Sequence, residues 1–343
     1  MRQRVVLALW AASLMLGAAL LWRGLPPGVR SSLTPQRLLE TAVQLELGET
    51  LAAPEQESAL PAVTPEPTPA PTPSPEPEAA SPMDPDQTPE GLPILPTAFP
   101  GGLAVKNHTD YEIDLAALRE AGPSLSLSAE GPQVLIVHTH TSEAYNPSPG
   151  CRYDASDTAR TQDPNYNILR VGDVLAAQLE AAGLTVLHDR TVNDYPSYTG
   201  SYTRSGAAVE AALAEHPSIR LVIDLHRDAL CSDTVVYKTI AELPDAEPCA
   251  QVMFVVGTDA SGLEHPRWRE NLGLAVWLQD AVSDTHPTLM RPIDLVRERY
   301  NQHLSPGMML IEIGSSGNTL PEALRAAELL GQSMGEALSG LIE

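Results

Sequence analysis

The sequence predicts an α/β protein with a mostly parallel central sheet and helices on both faces. Three observations carry this. Apolar runs of strand length, rich in Val, Ile and Leu, occur at Val134–Val137, Leu221–Leu225 and Met308–Ile311. They alternate with segments whose apolar residues recur at helical spacing, the pattern of strands joined by crossover helices. Each run also leads into ionisable residues, His138 and His140, His226, and Glu312. Their chemistry is therefore expected at the carboxyl edge of the sheet, where strand ends of an open α/β fold converge.

From the N-terminus, Arg2 and Arg4 precede the apolar run Val5–Trp22, about 18 residues long and sufficient for a membrane span. The arginines keep the N-terminus inside, so residues 1–23 are expected to anchor the chain with the remainder exported. A cleaved secretion signal, suggested by Gly17, Ala18 and Ala19, is the alternative. Leu20, Leu21 and Trp22 prolong the run past those small residues and favour the anchor. Residues 24–100 are expected to hold a short amphipathic helix opening at Thr34-Pro35, with Leu39, Val43 and Leu47 at helical spacing. A disordered linker follows. From Ala53 to Pro100 the chain is dominated by Pro, Glu, Thr, Ala and Ser, a composition that cannot bury apolar area and extends by about 3.1 Å per residue. The globular part is residues 101–343, about 240 residues and ample for one large domain.

The net charge of −23, from 44 acidic against 21 basic residues, excludes a nucleic-acid partner, which needs a basic footprint. Cys151, Cys231 and Cys249 include no C-x-x-C pair and read as small buried or loop residues. A Cys231–Cys249 bridge is the alternative in an exported domain.

After the first strand, a loop over Asn146–Asn165 leads to a helix from about Asn167, with Val171, Val174, Leu175 and Leu179 on one face. Gly183 ends it, and Thr185-Val186-Leu187 forms a short strand. Tyr195, Tyr198 and Tyr202 mark a polar loop before a helix over Arg204–Ala214. Strands are expected at Thr234–Ile240 and Ala250–Val256, and Pro266 opens another helix. The last helix starts from a Thr319-x-x-Glu322 capping box with Pro321 in its first turn.

His140-x-x-Glu143 at the end of the first strand offers two zinc ligands that converge once the chain turns, and His226 supplies the third. Zinc suits two His and one carboxylate best, although manganese and iron fit the same donors. Asp224 or Asp228 is expected to accept the free ring N–H of a ligating histidine. Glu312 remains as the base that takes a proton from attacking water. His138 and His140 are two apart and share a face if the strand continues. One of them binds, and His140 is assigned for its spacing to Glu143, with His138 an outer partner or substrate contact. Arg227 faces either a substrate carboxylate or Asp228, and Tyr300 and Asn301 either touch substrate or pack a loop.

The stretches VLIVHTHTSEAY from Val134, VIDLHRD from Val222, RYNQ from Arg299 and LIEIG from Leu310, with Asn318-Thr319 beyond, resemble the stage II sporulation protein P family. The resemblance implies a membrane-anchored peptidoglycan hydrolase with a fold like that of zinc-dependent N-acetylmuramoyl-L-alanine amidases, acting in forespore engulfment. It also implies endopeptidase activity on stem-peptide cross-links, stage II sporulation proteins D and M as partners, and a catalytic domain in the space between mother cell and forespore. A zinc carboxypeptidase, with Arg227 or Arg299 holding the terminal carboxylate, is the rival enzyme reading. A non-catalytic envelope-binding module is the rival outside enzymes.

Overall fold

The computed structural model describes residues 103–153, 159–231 and 236–343, with Leu92 and Ile94. The expected anchor over 1–23, the helix from Thr34, the linker to residue 100 apart from those two residues, and the start of the expected strand at Thr234 lie outside the described residues. Among the described residues no helix is long and apolar enough to cross a membrane.

The strands are β1 (Val105–Asn107), β2 (Val134–Val137), β3 (Val186–His188), β4 (Leu221–Asp228), β5 (Val252–Val256), β6 (Ile293–Leu295) and β7 (Met308–Ser315). The α-helices are α1 (Leu115–Ala121), α2 (Ile168–Ala181), α3 (Ser201–Glu215), α4 (Trp268–Thr285) and α5 (Leu320–Ser339), with a 3-10 turn at Gln302–Leu304. The strands form one sheet in the order β1-β6-β5-β7-β4-β2-β3. Every neighbouring pair is parallel except β5 with β7. The sheet is thus mostly parallel, as expected, but consists of two blocks that run in opposite directions. Within one block β7, β4 and β2 lie side by side, so their carboxyl ends meet at one edge.

Alternation along the strands divides the sheet into two faces. Ile136, Ile223, Leu225 and Ile311 pack with Leu175 and Leu179 of α2, Leu272 of α4 and Leu330 of α5. Each such side chain, fully buried, contributes about 1.5–3 kcal/mol. Leu135, Val137 and Val222 point the other way, onto Val209 of α3. Towards β5 this second face is closed by Val296 and Tyr300 packed on Met253, Val255 and Leu310. An irregular segment takes the place of a second helix there.

Local signals set the helix starts. Asn167 caps α2, its side chain accepting from Leu169 N at 3.0 Å, and Thr319 and Glu322 form the expected capping box on α5. The helices expected from Arg204 and Pro266 start at Ser201 and Trp268. The described part of Thr234–Ile240 is not a strand and makes only isolated bridges. The Asn318 side chain substitutes for a neighbouring strand, accepting from Thr239 N at 3.1 Å and donating to Thr239 O at 2.9 Å. All three cysteines are free thiols, Cys249 buried and Cys231 exposed.

At the start of β7, Gly307 passes so close to β4 that a Cβ there would lie 2.1 Å from Arg220 O. Gly307→Ala is therefore expected to cost roughly 1–3 kcal/mol, read as a lower midpoint in thermal unfolding. An unchanged midpoint would show that the two strands can part without cost.

Candidate metal centre

β2 ends at Val137, and the chain then turns through His138–Glu143, with Glu143 N donating to His140 O at 3.1 Å. Asp224 of β4 holds the turn, accepting from Thr139 N at 2.8 Å and Thr139 Oγ1 at 2.6 Å. Asp194, from the loop after β3, accepts from Ser142 N at 3.1 Å and Ser142 Oγ at 2.6 Å. These two buried carboxylates fix the loop that carries His140 and Glu143.

On β4, Leu221, Ile223 and Leu225 face the α2/α5 layer, so Asp224 and His226 face the α3 side. Glu312 is the register partner of His226 on β7 and shares that face. His226 Nδ1 lies 3.3 Å from Glu143 Oε2, and its Nε2 lies 3.0 Å from Asp224 Oδ1. The second contact is a close approach of charges that is not aligned as a hydrogen bond. The His140 ring stands edge-on to His226 with centroids 5.3 Å apart. Tyr198 stacks flat on His140 at 4.5 Å, its hydroxyl 3.0 Å from Nε2.

Burial works against charge on every one of these groups, and their neighbours decide the outcome. Burial lowers His140 to about 3, leaving a neutral ring. Burial also opposes a charged His226, but Asp224 and Glu143 outweigh it and push the ring well above its usual value. Burial would raise Glu143, yet His226, Arg227 and Arg160 together hold it below the ordinary carboxylate range. At Glu312 the lowering influence of His226 and Arg227 is outweighed. Burial, then the nearby Asp228, drive it well above its usual value. Part of the Glu312 residue reaches solvent, but its Oε2 is closed off and finds no hydrogen-bond partner among the described residues.

The donor set fits a zinc ion in chemistry. His140 Nδ1 is buried without a partner among the described residues. The 3.3 Å between His226 Nδ1 and Glu143 Oε2 matches the edge, about 3.3 Å, of a tetrahedron with bonds of about 2.0–2.1 Å. Even so, no three His, Cys, Asp or Glu side chains among the described residues stand in a ready metal-holding arrangement. In the metal-free protein His226 is engaged between two carboxylates, and an ion would have to displace the proton they share.

Of the other residues singled out in the sequence, Arg227 touches the site through its backbone, its N donating to Glu143 Oε2 at 3.2 Å, and the rest lie around it. His138 is fully buried, with Nδ1 3.0 Å from Leu225 O and Nε2 2.8 Å from His188 Nε2, so both nitrogens are engaged away from His140. Arg227 is buried and donates through Nε to Ala144 O at 2.8 Å, bracing the loop after Glu143. Asp228 pairs with Arg291 at 2.7 Å, so Asp224 is the carboxylate beside His226. Tyr300 is half-buried, its ring 5.5 Å from Tyr202. Asn301 donates to Tyr202 O at 2.7 Å and holds the start of α3. Sequence reasoning assigned no role to Arg160, Asp194 or Tyr198, which border the site from loops. The Tyr195, Tyr198 and Tyr202 series was the one sign of them.

Comparison with known proteins agrees with the motifs. The family described as Stage II sporulation protein P (SpoIIP) matches residues 72–335. Stage II sporulation protein P of Bacillus subtilis (strain 168) is 28% identical over 205 residues, 57% of this chain and 48% of that protein. The chain therefore spans about half the length of this curated relative. Among solved structures, N-acetylmuramoyl-L-alanine amidase AmiC2 of Nostoc punctiforme aligns with a TM-score of 0.36 and 14% identity, over 61% of this chain and 98% of that one. The N-acetylmuramyl-L-alanine amidase Ami1 from Mycobacterium smegmatis aligns with a TM-score of 0.34 and 12% identity, over 62% and 98%. The family match runs through most of the chain and contains the turn, β4 and β7 that build the site, and on that ground the chain belongs to the stage II sporulation protein P family.

Proposed function

We propose that this protein is a zinc-dependent peptidoglycan hydrolase that cleaves the amide between the muramoyl lactyl group and L-alanine during sporulation engulfment. The observation that supports this most is the meeting of Glu143 and His226 with His140, whose Nδ1 is buried and unpartnered among the described residues, and with Glu312 beside His226 in the sheet. His140, Glu143 and His226 would hold the ion, a donor set that leaves a position for water. Zinc, when bound, supplies positive charge that polarises the amide carbonyl, acidifies water and favours the ionised form of Glu312.

The protein's own groups supply the remainder. Asp224, held by Thr139, sets its negative charge beside His226 Nε2 and orients the ring. Glu312 takes the proton released as water attacks and delivers it to the departing nitrogen, and burial, with Asp228 nearby, keeps its proton affinity high enough for both tasks. In this reading residues 1–23 anchor the chain, 24–100 are the arm, and 101–343 reach the wall from the outer side of the membrane, with stage II sporulation proteins D and M as partners. The carboxypeptidase reading is weaker, because Arg227 is buried on a loop carbonyl and Arg299 donates to Glu264 O at 3.1 Å.

Full-length protein incubated with purified peptidoglycan is expected to release stem peptides with a free L-alanine amine. Chelation stops the release and zinc restores it, with products identified by mass spectrometry. Split cross-links or trimmed termini alone would overturn the amidase specificity, and undiminished cleavage after chelation would overturn the metal.

A further inference from the structure

Arg160 lies in a loop that the strand motifs do not reach, yet its guanidinium meets groups from two other segments. Nη1 donates to Asp194 Oδ2 at 2.8 Å and Ser142 Oγ at 3.2 Å, and Nη2 to Glu143 Oε1 at 3.4 Å. Its Cζ also stands 4.9 Å over the centre of the Tyr198 ring, and Tyr198 lies against His140. The backbone joins the same partners, since Glu143 and Arg160 form an antiparallel bridge. One side chain thus touches Glu143 directly and His140 through Tyr198.

We infer that Arg160 is a positioning residue for the metal centre, holding Glu143 Oε1 so that Oε2 alone faces His226 and keeping Tyr198 against His140. This rests on the zinc reading above. A planar fork is needed because two carboxylates and a hydroxyl are contacted at once, which the point charge of lysine cannot reproduce. The Asp194 side chain is closed to solvent while that of Arg160 is 20% exposed, so the fork is fixed from the protein side. With Oε1 held by Arg160, Oε2, which also accepts from Arg227 N at 3.2 Å, is the oxygen that would face an ion.

The test is zinc affinity of the full chain, measured by competition with a chromophoric chelator. Arg160→Ala is expected to weaken zinc binding by about 10- to 100-fold, with Arg160→Lys recovering part of the loss. On soluble muropeptides kcat is expected to fall more than KM rises. In a Glu143→Gln background Arg160→Ala is expected to cost little further, because the pair acts as a unit. Equal losses in both backgrounds, or unchanged affinity in folded Arg160→Ala protein, would overturn the inference and leave the zinc reading intact. A wild-type chain that retains no zinc would overturn both. If the alanine variant does not fold, Arg160→Lys decides, and wild-type affinity in that variant refutes the role.

Discussion

Glu312→Gln is expected to lower peptidoglycan cleavage by roughly 10²–10⁴-fold while zinc retention and the unfolding midpoint stay close to wild type. The substitution keeps the shape of the side chain and removes its ability to take and return a proton. The physical reason to expect so selective an effect is the state of the carboxyl group. It lies on the same face of β7 as the buried Leu310, with Oε2 lacking any hydrogen bond among the described residues. Leaving such a group unsatisfied costs about 1–3 kcal/mol, so the fold gains nothing from the carboxylate that the amide would forfeit. A group kept at a cost to stability, with its proton affinity displaced and a buried histidine opposite it on the neighbouring strand, is the profile of an acid–base residue. Cleavage products are quantified by mass spectrometry and zinc by atomic absorption. Unaltered cleavage by Glu312→Gln protein would remove Glu312 from the chemistry, and lost zinc would move it into the ligand set.

The strands that frame this site were legible because two signals coincide in them. In Leu221–Asp228 one face reads Leu221, Ile223, Leu225, while the other changes from Val222 to Asp224 and His226. The change marks where the core ends and the site begins. β7 repeats it with Leu310 and Glu312. His138 shows where such reasoning stops. β2 ends at Val137, so strand alternation no longer governs the next residues, and His138 and His140 part company. β1 and β6, three residues each, are too short to carry a period. The reversed direction of β5 leaves no mark in its composition, because a strand buried on both faces reads as one apolar run whichever way it points. Arg160, Asp194 and Tyr198 reach Glu143, Ser142 and His140 across 17, 52 and 58 positions of chain. No spacing rule spans such gaps, and these contacts depend on where loops settle once the sheet exists.

Asp224 offers the second large effect, and two substitutions there should behave differently. Asp224→Ala is expected to cost about 3–5 kcal/mol, because it strips a buried carboxylate from a network in which each other member is also buried. Thr139 N and Oγ1 would lose their acceptor, Ser205 Oγ, 2.7 Å from Thr139 Oγ1, would lose a partner that is held in place, and His226 would lose the charge beside Nε2. Asp224→Asn retains the shape and one acceptor for Thr139, so most of the fold stability should survive. The amide cannot stabilise a ring N–H as a carboxylate does, and turned towards His226 it presents a donor where the ring needs an acceptor. Zinc affinity should then fall by about 10- to 100-fold with the fold largely intact. Denaturant unfolding of the metal-free variants, set beside chelator competition, separates the two effects. If both variants lose stability alike, the carboxylate charge rather than the hydrogen-bond geometry holds the turn to β4. If Asp224→Asn keeps wild-type zinc affinity, Asp224 supports the fold alone and the orientation of His226 comes from Glu143.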